Sequence, residues 1–296
     1  MRKPLDLRGI FPALATPFRD DRSLDEERLR DLIRYLLDDV DGFVVNGTTG
    51  DFPLLSFAER RRTIEIAVEE TAGMDKIIIA GTGAIATEEV VTLTLSARDA
   101  GADAALVIAP YYLRPTPAGM RQHFATIAAA APHLPLLLYN FPQLVGQAIP
   151  VDVIESLHSE VSNVIGMKDT SGDLPYMLTV LERLPDTFQV LVGRGTAVLP
   201  ALASGATGAV LACANLIPDR WQRVLHAVAT GDLETAQREQ LRAQQVSRVV
   251  GKAGSLAVRA GLEILGRPIG PPRGPLTFEG ALTSEDREAL LRALEV

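Results

Sequence analysis

Lys168 stands in a setting that offers chemistry. It follows the apolar run Val164-Ile165-Gly166-Met167 and precedes Asp169-Thr170-Ser171-Gly172-Asp173. Of 29 basic residues, only Lys3, Lys76, Lys168 and Lys252 are lysines. Lys3 precedes the first apolar run, Lys76 begins one and Lys252 falls in a helical tail, so Lys168 alone closes such a run. A lysine in water is a poor nucleophile at neutral pH, because only about one in 2,000 is deprotonated. Lowering the pKa of such an amine by about three units removes the handicap at roughly 4 kcal/mol of differential solvation. A dry interior supplies shifts of that size, and the resulting amine attacks a carbonyl to form a Schiff base. The bland alternative is a structural lysine paired with Asp169 or Asp173, and spacing alone leaves the two balanced.

Tyr139 closes the preceding run, Leu136-Leu137-Leu138. Adjacent strands lie about 4.8 Å apart, so the two ends can share one pocket. A phenol there moves protons to and from the substrate oxygen. A tyrosine that merely caps a strand is commoner, and it is the pairing with Lys168 that favours the chemical role. Gly47-Thr48-Thr49-Gly50 offers amides and two hydroxyls in a turn, which suits a carboxylate or phosphate, although a plain tight turn has the same composition. Gly193-Arg194-Gly195-Thr196 is a weaker candidate for a phosphate at a helix start. His123, His133, His158 and His226 show no metal-ligand spacing and fall in expected helices or the turns after them. They are expected at the surface or in packing, with no metal site. Cys213 is expected to end the eighth strand as an inert small hydrophobe.

These residues need a scaffold. Eight short runs, beginning near Gly9, Gly42, Lys76, Ala104, Leu136, Val164, Phe188 and Gly208, are apolar on both parities, as in parallel strands buried on both faces. Helical segments separate them. Ser23 with Glu26 and Ser56 with Glu59 fit the capping-box spacing, and Leu29, Leu32, Ile33, Leu36 and Leu37 form an apolar stripe. Eight such units predict a (β/α)8 TIM barrel over residues 1–230, with the active site where the strands' C-terminal ends converge. A doubly wound open sheet is the alternative, but no GxGxxG follows the first strand. Residues 231–296 are expected to form a C-terminal helical extension with helices over 233–252, over 254–265 and from about 283. No chemistry is expected of it.

The 296-residue chain carries a formal charge of −8 and is 47% hydrophobic. An acidic chain without a basic run is a poor partner for nucleic acid. No stretch approaches the roughly 20 apolar residues of a membrane span. A single cysteine excludes a disulfide framework, and the expected location is the cytoplasm.

The motifs GTTGD, PYYLRP, LYNFP, GMKDTSGD and GATGAVLACAN, in this order and spacing, resemble the dihydrodipicolinate synthase/N-acetylneuraminate lyase family over about residues 9–282. The resemblance implies a barrel that condenses or cleaves 2-oxo acids, usually pyruvate, through a lysine Schiff base without metal or other cofactor. It also implies a homotetramer built as a dimer of dimers. Carried over by motif, Lys168 is the Schiff-base residue and Tyr139 the proton shuttle. Thr49 and the amides around Gly47 and Thr48 hold the 2-oxo acid carboxylate, and the Thr48 hydroxyl joins the relay. Tyr112 reaches into the neighbouring subunit's site, and the Val210 carbonyl faces the bound acid.

Two departures stand out. Asp51 replaces the family's glutamate, and Leu144 occupies the position where dihydrodipicolinate synthases place an arginine for the carboxylate of aspartate semialdehyde. Losing such a charge-assisted bond costs a few kcal/mol. GDFPLLS, IIIAGTG and GADAALVIAP instead resemble the 4-hydroxy-2-oxoglutarate and 2-keto-3-deoxy acid aldolase branches. The expected activity is therefore cleavage or formation of a 4-hydroxy-2-oxo acid from pyruvate and an aldehyde, with Arg114 and Arg194 as candidate substrate contacts. The alternatives are dihydrodipicolinate synthase or N-acetylneuraminate lyase-like activity, a non-catalytic 2-oxo-acid-binding barrel, and a phosphate-binding isomerase using the Gly193 and Gly205 loops.

Overall fold

A strand that is apolar on both faces can leave neither to water, so each of the eight runs must be covered twice. In the computed structural model, which describes residues 5–294, they form parallel strands β1 Gly9–Pro12, β2 Gly42–Val45, β3 Ile77–Gly81, β4 Ala104–Ile108, β5 Leu136–Asn140, β6 Val164–Asp169, β7 Gln189–Val192 and β8 Gly208–Leu211. Every residue of β1, β2, β4, β5 and β8 is buried. Neighbours follow chain order from β2 to β8, and β8 pairs with β1. A parallel bridge from Ala13 to Val44, with Leu14 N–H donating to the Val44 carbonyl at 2.9 Å, brings β1 back to β2. The sheet is a TIM barrel.

Helices α1 Glu26–Leu36, α2 Phe57–Glu70, α3 Thr87–Asp99, α4 Pro117–Ala130, α5 Pro142–Val145, α6 Val151–Glu160, α7 Leu174–Arg183, α8 Val198–Ala203 and α9 Pro218–Ala229 alternate with the strands. The stripe on α1 buries Leu29, Leu32, Ile33 and Leu36, each worth about 1.5–3 kcal/mol. The box at Ser56 forms: its Oγ accepts from Glu59 N–H at 3.3 Å, and Glu59 Oε2 accepts from Ser56 N–H at 2.9 Å. The one expected at Ser23 does not. Asp25 caps α1 by accepting from Arg28 N–H at 3.1 Å. Ser23 is instead drawn into a local turn, where its Oγ donates to Asp21 and its carbonyl accepts from Arg19 N–H.

The extension consists of α10 Leu233–Ala253, α11 Ser255–Ile264 and α12 Ser284–Leu294. α10 packs on α9, and α11 packs beneath the turn that follows β2. Between α11 and α12, Arg273 donates to the Leu54 carbonyl at 2.8 Å and to Glu59 Oε2 at 2.9 Å. That guanidinium holds the Glu59 carboxyl down at about 2. Cys213 lies past β8, in the 3-10 turn Ala212–Asn215, rather than at the strand end. Burial pushes its thiol up to about 11, which leaves it a poor nucleophile. Among the described residues no helix is long and apolar enough to cross a membrane. Lys3 lies outside the described residues, as do the last two residues of the extension.

Candidate active site

The register of the sheet sets the site. In the β5–β6 ladder Tyr139 is paired with Lys168 and Asn140 with Asp169. Lys168 and Tyr139 are each 3% exposed, and Lys168 Nζ lies 4.2 Å from the Tyr139 ring centroid. The Tyr139 hydroxyl is 3.3 Å from Thr48 Oγ1, so three residues from the ends of β2, β5 and β6 meet in one place.

The ion-pair alternative for Lys168 is not what forms. Among the described residues no carboxylate oxygen lies within 4.0 Å of Nζ. Asp169 is engaged elsewhere: its Oδ1 accepts from Asn140 Nδ2 at 2.7 Å, and its Oδ2 accepts from Ser171 Oγ at 2.7 Å. Burial raises the Asp169 carboxyl above the ordinary carboxylate value, and the bonds from Ser171 and Asn140 pull it back. Asp173 caps α7 by accepting from Tyr176 N–H at 3.0 Å. Both carboxylates named as partners for the lysine thus serve the loop after β6.

The turn after β2 is a single 3-10 turn, Thr48–Gly50, with Gly47 as its N-cap. Gly50 N–H donates to the Gly47 carbonyl at 3.0 Å, and Asp51 N–H to the Thr48 carbonyl at 3.1 Å. The amides of Thr48 and Thr49 are the first donors of the turn, so no carbonyl within it can accept from them. A Cβ at Gly47 would make only ordinary contact with Val44 at 3.5 Å, so packing alone does not require glycine there. Val210 is buried in β8 opposite Phe11 of β1. Tyr112 is not brought to this site within one chain. It is 90% exposed and takes φ +69°, a conformation that costs a bulky residue.

Two contributors were missed by sequence reading. Gly193, considered there only for phosphate, makes room for the lysine. A Cβ on it would lie 2.9 Å from Lys168 Cε and 1.9 Å from Thr170 Oγ1. Arg60 is buried beneath the turn and donates to the Gly81 carbonyl at 3.0 Å and the Gly83 carbonyl at 3.1 Å. Its own carbonyl accepts from Asn46 Nδ2 at 2.7 Å, fixing the left-handed Asn46 that begins the turn. Burial lowers the Arg60 guanidinium to about 10. No sequence signal separates Arg60 from the neighbouring surface arginines, but a glycine at the end of the strand next to the one that carries Lys168 is a usable clue.

Around the mouth, Leu144 on α5 is 57% exposed. The Arg114 guanidinium lies beside Gly146, and the Arg194 side chain packs along Gly172 with a buried Nε that has no partner among the described residues. The histidines stand apart. His123 Nδ1 is 2.9 Å from Thr87 Oγ1, and His158 Nδ1 is 2.9 Å from the Val164 carbonyl. Among the described residues no three His, Cys, Asp or Glu side chains are grouped to hold a metal.

Comparison with known proteins agrees with this architecture. The model of the Dihydrodipicolinate synthetase family matches residues 6–296. The chain belongs to this family. It is 39% identical to the 4-hydroxy-tetrahydrodipicolinate synthase of Methanothrix thermoacetophila over 96% of this chain and 95% of that one. It is 38% identical to the Methanopyrus kandleri enzyme of the same name, covering 97% and 94%. Among solved structures, the dihydrodipicolinate synthase of Aquifex aeolicus superposes with a TM-score of 0.92 at 33% identity, covering 98% of this chain and 97% of that one. The Acinetobacter baumannii enzyme complexed with pyruvate gives 0.92 at 31% identity, covering 98% of both. As a member of the dihydrodipicolinate synthetase family, the chain is a lyase of the Schiff-base pyruvate aldolase class.

Proposed function

We propose that this enzyme forms and cleaves a 4-hydroxy-2-oxo acid, with pyruvate and an aldehyde as the cleavage products. The observation that carries the reading is the buried Lys168 amine, free of any carboxylate partner among the described residues and set against Tyr139, whose hydroxyl reaches Thr48. Lys168 Nζ adds to the keto carbon of pyruvate, and Tyr139 delivers a proton to the departing oxygen as water leaves. The iminium draws off the electron pair released when a C3 proton is lost, so the step needs no metal or cofactor. The resulting enamine adds to the aldehyde carbon, and hydrolysis frees the amine. Cleavage is the same sequence reversed.

In this reading the Thr48 hydroxyl relays the proton, and Thr49 with the amides at Gly47 and Thr48 holds the carboxylate. The Val210 carbonyl faces the bound acid, and Tyr112 of a second copy completes the relay. The exposure of Tyr112 and its unfavourable backbone angle support a role met only in an assembly, which we place as a homotetramer in the cytoplasm. Leu144 supports the aldolase branch, because it cannot bind a second carboxylate. A second reading, 4-hydroxy-tetrahydrodipicolinate synthase, is favoured by the names of the relatives and by the Arg114 cation beside Gly146. N-acetylneuraminate lyase-like activity rests on the family resemblance alone.

Product analysis with pyruvate and glyoxylate, glyceraldehyde or aspartate semialdehyde separates these. The proposal expects turnover with the first two aldehydes and little with the third. Efficient use of aspartate semialdehyde alone would establish the second reading in its place. Binding of pyruvate without turnover of any aldehyde would indicate a non-catalytic barrel.

A further inference from the structure

The extension reaches the site through one buried side chain. Arg259 of α11 and Asp51, the residue after the Thr48–Gly50 turn, form an ion pair with Nη2 3.2 Å from Oδ2 and side chains only 1% and 3% exposed. The same Nη2 donates to the Thr16 carbonyl at 2.7 Å, and Nη1 donates to the carbonyls of Ile269 and Gly270, each at 3.2 Å. The guanidinium lies over the Phe18 ring, 5.0 Å from its centroid. On the other side, Asp51 N–H is bonded to the Thr48 carbonyl, and Thr16 Oγ1 donates to the Gly50 carbonyl at 2.7 Å. Arg259 thus binds the side chain of Asp51 directly and the backbone of Thr16, whose hydroxyl in turn holds the Gly50 carbonyl.

This arrangement is costly. Asp51 takes φ +54° and ψ +38°, a conformation that only glycine adopts freely. Arg259 Nε is buried without a partner among the described residues. Burial raises the Asp51 carboxyl, which a hydrogen bond from Ser255 and then the Arg259 charge pull back, and burial lowers the Arg259 guanidinium, which the Asp51 charge partly restores. A buried ion pair is a poor source of stability, and in some proteins it is kept because it fixes one geometry.

We infer that Asp51 and Arg259 are positioning residues, through which the C-terminal extension fixes the Thr48 hydroxyl and the Thr48 and Thr49 amides against Lys168. The inference rests on the Schiff-base reading above. It gives the extension a part in the reaction that the sequence did not suggest.

The test uses the full-length protein and counts active sites by trapping pyruvate on Lys168 with borohydride, so that unfolded chains drop out. Per trapped site, Arg259→Met and Asp51→Asn are expected to lower kcat/KM for pyruvate about 10²-fold, as a displacement near 1 Å does. Arg259→Lys, which keeps the charge, should recover part of that loss, and it also serves if Arg259→Met does not fold. A purely structural pair would lower the melting temperature and the number of trapped sites while leaving kcat and KM per site within about twofold of wild type. That result would overturn the inference. If the wild-type protein itself traps no pyruvate, the Schiff-base reading fails and the inference with it, which is a distinct outcome.

Discussion

At Lys168 the ion-pair alternative is closed, because Asp169 and Asp173 are both occupied by their own loop; the nucleophile proposed for it remains to be trapped. Lys168→Ala should abolish turnover and pyruvate trapping while leaving the circular dichroism spectrum unchanged. Retained turnover would refute the assignment. Tyr139→Phe keeps the ring that lies beside the amine and removes only the hydroxyl, so the rate should fall about 10²–10⁴-fold, the usual worth of acid–base help. The types and spacing of Lys168, Tyr139, Thr48 and Thr49 are legible in the sequence because Lys168 and Tyr139 each close an apolar run and Thr48 and Thr49 lie in the turn that follows one. Arg60 and Asp51 were not, since their partners come from elements distant along the chain. Asp51 meets Arg259 across 208 residues, and no local pattern announces such a pair.

At the level of the element, double-sided apolarity was enough to find all eight strands, because a buried parallel strand must satisfy both faces. Caps were less secure. Ser56 and Ser23 share one spacing, yet Ser23 is captured by Asp21 in a preceding turn and Asp25 takes its place. Local hydrogen bonding by short polar side chains competes with capping, and spacing alone does not show which wins. Gly193 gives the sharpest test at this scale. Gly193→Ala forces a Cβ into Thr170 and against Lys168 Cε, an overpacking expected to cost about 1–3 kcal/mol. Urea denaturation should register that loss, and kcat should fall because the amine is displaced. A variant with unchanged stability and kcat would mean that the space around Lys168 is looser than the structure indicates.

For the whole molecule, Tyr112 and His123 carry separate predictions. If Tyr112 serves a second copy, Tyr112→Phe should slow turnover, and specific activity should drop as the protein is diluted into single chains. A fully active single chain in sedimentation-matched assays would remove that part of the proposal.

His123 is buried, which lowers its pKa to about 4, whereas an unfolded histidine titrates near 6.5. As pH falls below about 6.5 the unfolded chain takes up the proton first, so this residue's contribution to stability is complete above that value and shrinks toward pH 4. Asp51 and Asp169, whose carboxyls burial raises, oppose the trend. The comparison is therefore between wild type and His123→Gln, whose melting temperature should depend less steeply on pH between about 6.5 and 4. Equal slopes would contradict the buried neutral imidazole.

The central claim is that Lys168 carries the substrate. Its most direct measurement is the mass of the peptide containing Lys168 after the full-length protein has been treated with pyruvate and borohydride and digested. A reduced pyruvyl adduct on that lysine, absent when pyruvate is withheld, is the expected result. A folded protein that gains no adduct, or gains it on Lys76 or Lys252 instead, would contradict the account.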